Sequence, residues 1–305
     1  SPWQLAISAT DSLGLMLDAA PGSIANYTAG ASHWENYENS AGEGSDGGVD
    51  TVHTLGPGVR GDYPTILVGS PAGGERLAGG DDYTIAWTAP NAPGYPQSLS
   101  LSTDGGVNFA SLAQNIPSDA QRYHVTIPRV ATVQGRIGLL AVEPTFHNPL
   151  VAMSPADFSI GLNVGSAIDI SFVSSEKVDL NWSDTSPDEP PSTASGPSRL
   201  ILNLRISNKT NTTIFSPFLR IAQMSRHVLL TRDRKSSWTE GARVYVDAGS
   251  DNALTPGEIV NVRLVVGLIN PKKFSLSVEM YGVPSGGTII PASAVNVWKG
   301  KPKTR

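Results

Sequence analysis

The sequence predicts an all-β chain, two tandem β-sandwiches behind an irregular N-terminal segment, on three observations. Its 305 residues include 31 Gly and 23 Pro but only 16% charged residues, a balance that favours short elements joined by turns over long helices. Apolar residues recur at every second position in several strand-sized runs. Turn residues separate those runs at the regular spacing of a sandwich. The length suits two domains. The expected boundaries are 1–62 for an irregular acidic segment, 63–162 for one sandwich, 163–290 for a second, and 291–305 for a basic tail.

Taken in order, residues 1–60 show no decisive periodicity, and "ENYENSAGEGSDGGVD" (35–50) has almost no apolar content, so a long exposed loop is expected there. From Tyr63 the character changes. Tyr83, Ile85 and Trp87 alternate, and so do Leu99 and Leu101, which lead through Thr103-Asp104-Gly105-Gly106 to Val107 and Phe109. Asp-Gly supplies the left-handed backbone of a tight turn, which makes this a hairpin signature. "YHVTIP", "GRIGLLAVEP" and "ADFSIG" supply further strands. In the second half "AIDISFVSSEKVDLNW" is strand-like, and the Pro/Ser-rich stretch 184–198 reads as a long loop. Leu200, Leu202, Leu204 and Ile206 alternate as a half-buried strand should. The runs Val260 to Val266 and Phe274 to Met280 do the same, and they read as a final hairpin turning at Asn270-Pro271-Lys272-Lys273.

Ser70-Pro71-Ala72-Gly73-Gly74-Glu75, Ile85-Ala86-Trp87 and the run Ser102 to Phe109 resemble the opening, the inward Trp and the turn of Ig-like or fibronectin-type-III-like repeats in secreted, multidomain bacterial proteins. The resemblance covers about 63–161 and implies a spacer or stalk with no activity of its own. Ser216-Pro217-Phe218 and the Leu254 to Glu258 stretch resemble the C-terminal β-sandwich modules of bacterial surface proteins, over about 166–285. That resemblance implies no catalytic role either.

Charge is modest overall, at -5, but segregated. Residues 1–59 hold seven acids (Asp11, Asp18, Glu35, Glu38, Glu43, Asp46 and Asp50) and no Lys or Arg. Residues 199–236 hold eight bases (Arg199, Arg205, Lys209, Arg220, Arg226, Arg232, Arg234 and Lys235) against Asp233 alone. Two solvated faces are one reading. Docking of the acidic end on the basic stretch, within the chain or on a neighbouring copy, is the other. The candidate contact residues are Glu35, Glu38, Glu43, Asp46 and Asp50 on one side, with Arg220, Arg226, Arg232, Arg234 and Lys235 on the other. An acidic chain with no aromatic ladder beside its bases gives no reason to expect a nucleic-acid partner.

The chain has no cysteine, so disulfides, zinc-thiolate sites, iron–sulfur clusters and covalent haem are excluded. No apolar run approaches the roughly 18 residues of a membrane span. A start at Ser1 leads us to expect a mature form that has lost a signal peptide. The one calcium candidate is Asp247 to Glu258, with Asp247, Asp251 and Glu258 as side-chain ligands. Gly249 offers no side-chain oxygen where a helix–loop–helix calcium site needs one, Asn252 stands at its glycine position, where Asn is tolerated, and Val244, Val246, Val260 and Val262 flank it as strands. The alternative is a connection whose Asp and Asn residues cap turns. No other cofactor is expected. His33, His53, His124, His147 and His227 show no ligand spacing, and no G-x-S-x-G nucleophile motif occurs. The Arg60-Gly61-Asp62 triplet is too short to carry an adhesion argument. Asn26, Asn181, Asn208 and Asn211 head N-x-S/T triplets that would accept glycan in a competent host.

We therefore expect a non-enzymatic, secreted or cell-surface structural, adhesive or assembly subunit. It would act by contact with a protein partner or with copies of itself. The alternative is the C-terminal accessory region of a larger secreted hydrolase.

Overall fold

The computed structural model describes residues 66–88, 96–142, 149–185, 192–224, 227–270, 272–286 and 291–302. The N-terminal segment, with its acids Glu35, Glu38, Glu43, Asp46 and Asp50, lies outside them, as do Arg226, Asn26, His33, His53, His147 and the Arg60-Gly61-Asp62 triplet. Among the described residues the chain is all-β, consistent with β-sandwiches, and its lone helical piece is a 3-10 turn at Gly165–Ala167. It gathers into two compact units that are not contiguous in sequence. Of the described residues, one takes those within 66–72, 84–123 and 136–155, and the other those within 73–83, 124–135 and 156–302. Thus 73–83, 124–135 and 156–162, all inside the predicted first sandwich, group with the second half.

In the first unit β1 (Leu67–Ser70) pairs antiparallel with β3 (Asp82–Thr88), whose register sets Val68 opposite Trp87. β3 is also the neighbour of β6 (Arg122–Thr126), whose residues 122–123 belong to this unit. A second sheet centres on β4 (Gln97–Ser102), flanked by β5 (Ala110–Ile116) and by residues 136–141 of β7 (Thr132–Val142). β8 (Pro149–Met153) adds to β7. Val68, Ile85 and Trp87 from one sheet, with Leu99, Leu101, Ile137 and Leu139 from the other, form the buried interior. The predicted β4–β5 hairpin is present. Its turn carries the predicted Asp-Gly, and both Gly105 and Gly106 have positive φ, at 76° and 99°.

In the second unit one sheet runs β10 (Ile168–Val178), β13 (Ser198–Asn208), β18 (Ile259–Leu268) and β15 (Val228–Leu229). The facing sheet is built on β14 (Ile214–Met224) and β19 (Phe274–Pro284). β16 (Arg243–Tyr245) and β17 (Ala253–Leu254) pair with β14, while β20 (Val295–Gly300) and β9 (Phe158–Asn163) pair with β19. β2 (Arg76–Ala78) lies parallel to β9. Leu200, Leu202, Leu204 and Ile206 of β13 meet Leu219, Ile221, Leu276, Val278 and Met280 from the other sheet in one continuous apolar core.

Two sequence expectations need correction. β18 and β19 do not form a hairpin: β18 pairs with β13 and β15, and β19 with β14, β9 and β20. Alternation tells which face of a strand is buried, not which strand it pairs with, and these two bury toward the same core from opposite sheets. The stretch 184–198 is not one long loop. β11 (Trp182–Thr185) and β12 (Thr193–Gly196) pair antiparallel. Their anchor is Trp182, whose indole lies so close to Gly267 that a Cβ there would sit 2.5 Å from the ring. The Trp182 Nε1–H donates to the Leu268 carbonyl at 3.3 Å.

Candidate functional site

The calcium candidate is a turn system. The Gly249 N–H donates to Asp247 Oδ1 at 3.2 Å, and the Ala253 N–H donates to Asp251 Oδ1 at 3.3 Å. Each is a carboxylate closing a turn two residues ahead. Glu258 Oε2 accepts from both the N–H and the hydroxyl of Thr255, each at 2.8 Å. Asn252 takes a φ of 53°, which its side chain tolerates, and sits at the bend. Among the described residues no three His, Asp or Glu side chains gather where a metal ion would need them, so Asp247, Asp251 and Glu258 are not brought together.

The basic stretch divides. The Arg232 side chain is 1% exposed and pairs with Asp184 of the β11–β12 hairpin. It also reaches the carbonyls of Leu229 and Thr185. Arg220 lies between Asp81 at 2.7 Å and Glu279 at 3.2 Å. Lys235 Nζ meets Glu75 Oε1 at 2.6 Å, a hydrogen bond that raises the ammonium pKa against the opposing effect of burial. These three predicted contact residues therefore already have partners inside the second unit. Arg234 is exposed. Arg205 is also exposed, on the outer face of β13, and so is Arg263 on β18.

The densest polar arrangement was not singled out from sequence. It joins the segment 73–83 to β14 and β16, all within the second unit. Glu75 is 3% exposed, and its Oε2 accepts the Gly73 N–H at 2.7 Å. Arg76 donates to the carbonyls of Pro217 at 2.5 Å and Val246 at 3.2 Å, and to Asn252 Oδ1 at 2.6 Å. Its guanidinium lies 4.6 Å from the centroid of the Tyr245 ring, a cation–π contact, and burial lowers its pKa. Tyr245 Oη donates to Asp233 Oδ2 at 3.1 Å, and the Arg243 Nη2–H donates to the same oxygen at 3.1 Å. Burial first, and then Asp233, push the Tyr245 phenol up to about 12, so it stays a donor at neutral pH. Arg243 Nη1–H donates to the Arg76 carbonyl at 3.1 Å, which closes the loop of contacts.

Chemically this is a lock. Glu75, Asp81, Asp233 and Glu279 each face a cation across an ion pair, with Lys235, Arg220, Arg243 and Arg220 respectively. The signal was legible: "ERLAGGDD" places charge inside an otherwise Gly-rich, weakly charged stretch. Of the glycan triplets, Asn208 is fully buried. Its amide donates to Thr212 and Leu254 carbonyls, and its Oδ1 accepts from Thr210. Asn181 and Asn211 are exposed. No helix among the described residues is long and apolar enough to cross a membrane.

No protein-family model matches the sequence, and no curated protein matches it either. Among solved structures the chain is similar to a mutant alpha-2-macroglobulin from Salmonella, at 14% identity and a TM-score of 0.27. The match covers 80% of this chain and 16% of that one. A score so low carries no argument, and the fold class rests on the sheets described above.

Proposed function

We propose that this chain is a non-catalytic extracellular structural or assembly subunit that works by protein–protein contact, including contact between its own copies. The observation that carries this reading is the division of its charges. Buried or half-buried arginines lock strands together, while Arg205, Arg263 and Arg234 face outward, and the first 59 residues are acidic without a single base. A second feature supports it. β10 is the outer strand of its sheet, eleven residues long, with Phe172 and Val173 about half exposed. Edges of this kind are where other chains add.

The test is native mass by light scattering over a wide concentration range. Association predicts a mass above 32.1 kDa that rises with concentration. A mass of 32.1 kDa at every concentration would contradict self-contact and favour an accessory region of a larger secreted protein.

A further inference from the structure

We infer that the outer face of the β10–β13–β18–β15 sheet, centred on Arg205 and Arg263, receives the acidic segment Glu35–Asp50 of a second copy. This deepens the contact reading above and rests on it.

The face follows from alternation. Leu204 and Ile206 bury themselves on either side of Arg205, as Val262 and Leu264 do around Arg263, so both arginines must point away from the core. The register places Arg205 opposite Asn261 and Asn203 opposite Arg263. The two arginines are therefore diagonal neighbours, within about 7–8 Å of each other. Among the described residues neither guanidinium has an ion pair or a side-chain hydrogen bond, in contrast to Arg220, Arg232 and Arg243. Asn203 and Asn261 flank them, and Ile259, 55% exposed, adds an apolar margin.

The face is bounded. At the Gly267 end it is covered by Trp182 of the β11–β12 hairpin, which the buried Arg232–Asp184 pair holds in place. On the other flank β10 carries the exposed acids Asp169 and Glu176, which would repel an acidic strand laid there. An anionic partner is thus directed onto the two central strands.

Charge complementarity names the occupant. Residues 35–50 hold five carboxylates, no base and almost no apolar side chain. Such a segment binds by charge, and a flat pair of unpaired arginines offers bidentate carboxylate recognition. Arg220 and Arg232, in the same basic stretch, already hold carboxylates of their own.

The test uses the full chain. Arg205→Glu with Arg263→Glu is compared with Lys272→Glu and Lys273→Glu, an equal charge change on exposed turn residues. The first pair should weaken association more than about tenfold, because like charges then face each other, and leave the circular dichroism spectrum unchanged. The second pair should associate as the parent does. Adding Glu43→Lys and Asp46→Lys to the first pair should restore association. Should reversal disturb folding, Arg205→Gln with Arg263→Gln gives the same readout without added repulsion. If the Arg205/Arg263 variants associate like the parent, this inference fails while the contact reading stands. If the parent is a monomer at all concentrations, both fail.

Discussion

Asp104 shows how much a single side chain settles locally. Its Oδ1 accepts from the Ser102 hydroxyl at 2.6 Å and the Asn108 N–H at 2.9 Å, and its Oδ2 accepts from the Asn108 amide at 2.6 Å. The Ser102 Oγ in turn accepts the Gly106 N–H at 2.8 Å, so the β4–β5 turn is tied at both ends. These bonds, the Ser102 hydroxyl first, hold the Asp104 carboxyl down to about 2. A folded pKa below the unfolded value, about 3.9, means the contribution is complete above that value and lost as pH falls through the folded one. Acid unfolding of the parent should therefore include a loss between about pH 4 and pH 2 that Asp104→Asn lacks. Melting temperatures taken across that range decide it, and parallel curves for the two proteins would contradict the assignment. The Ser-Thr-Asp-Gly-Gly run was legible as a turn. That its carboxylate binds backward to Ser102 and forward to Asn108 was not, because spacing does not specify side-chain direction.

At the level of elements, the hairpin β11–β12 depends on two contacts. Gly267→Ala would place a methyl group 2.5 Å from the Trp182 ring. The indole must shift, at a cost of about 1–3 kcal/mol, and tryptophan emission should move to longer wavelength. The Arg232–Asp184 pair is the second contact, with side chains 1% and 11% exposed. Arg232→Ala leaves a nearly buried carboxylate unpaired and should cost about 3–5 kcal/mol, whereas Arg232→Met with Asp184→Leu should recover most of that loss. Chemical denaturation measures both, and equal losses in the single and double variants would contradict a buried pair. This pair also shows where sequence reading stops. Arg205 and Arg232 are the same residue type in one basic stretch. The first is readable as exposed because it alternates with Leu204 and Ile206. The second follows a two-residue strand with no alternation to orient it. The β18–β19 hairpin failed for a related reason, since both runs show the right period and neither shows its partner.

At the scale of the whole molecule, the described residues form an all-β fold whose cations divide into those that hold it together and those that face outward. Arg76, Arg220, Lys235 and Arg243 belong to the first set, and with the carboxylates of Glu75, Asp81 and Asp233 they fix the 73–83 segment to β14 and β16 within the second unit. Arg205 and Arg263 belong to the second. The fold class and most strands were readable from alternation and turn residues. The partition into two non-contiguous units was not, because it depends on pairings such as β2 with β9 and β9 with β19, which join distant parts of the chain. The central claim is association directed by charge, and native mass by sedimentation velocity over a salt series tests it most directly. Between about 0.02 M and 0.5 M salt the screening length shortens several-fold. The account predicts a multimer at the low end that falls to 32.1 kDa at the high end. A multimer whose mass does not change with salt would contradict it and point to an apolar or strand-exchange interface instead.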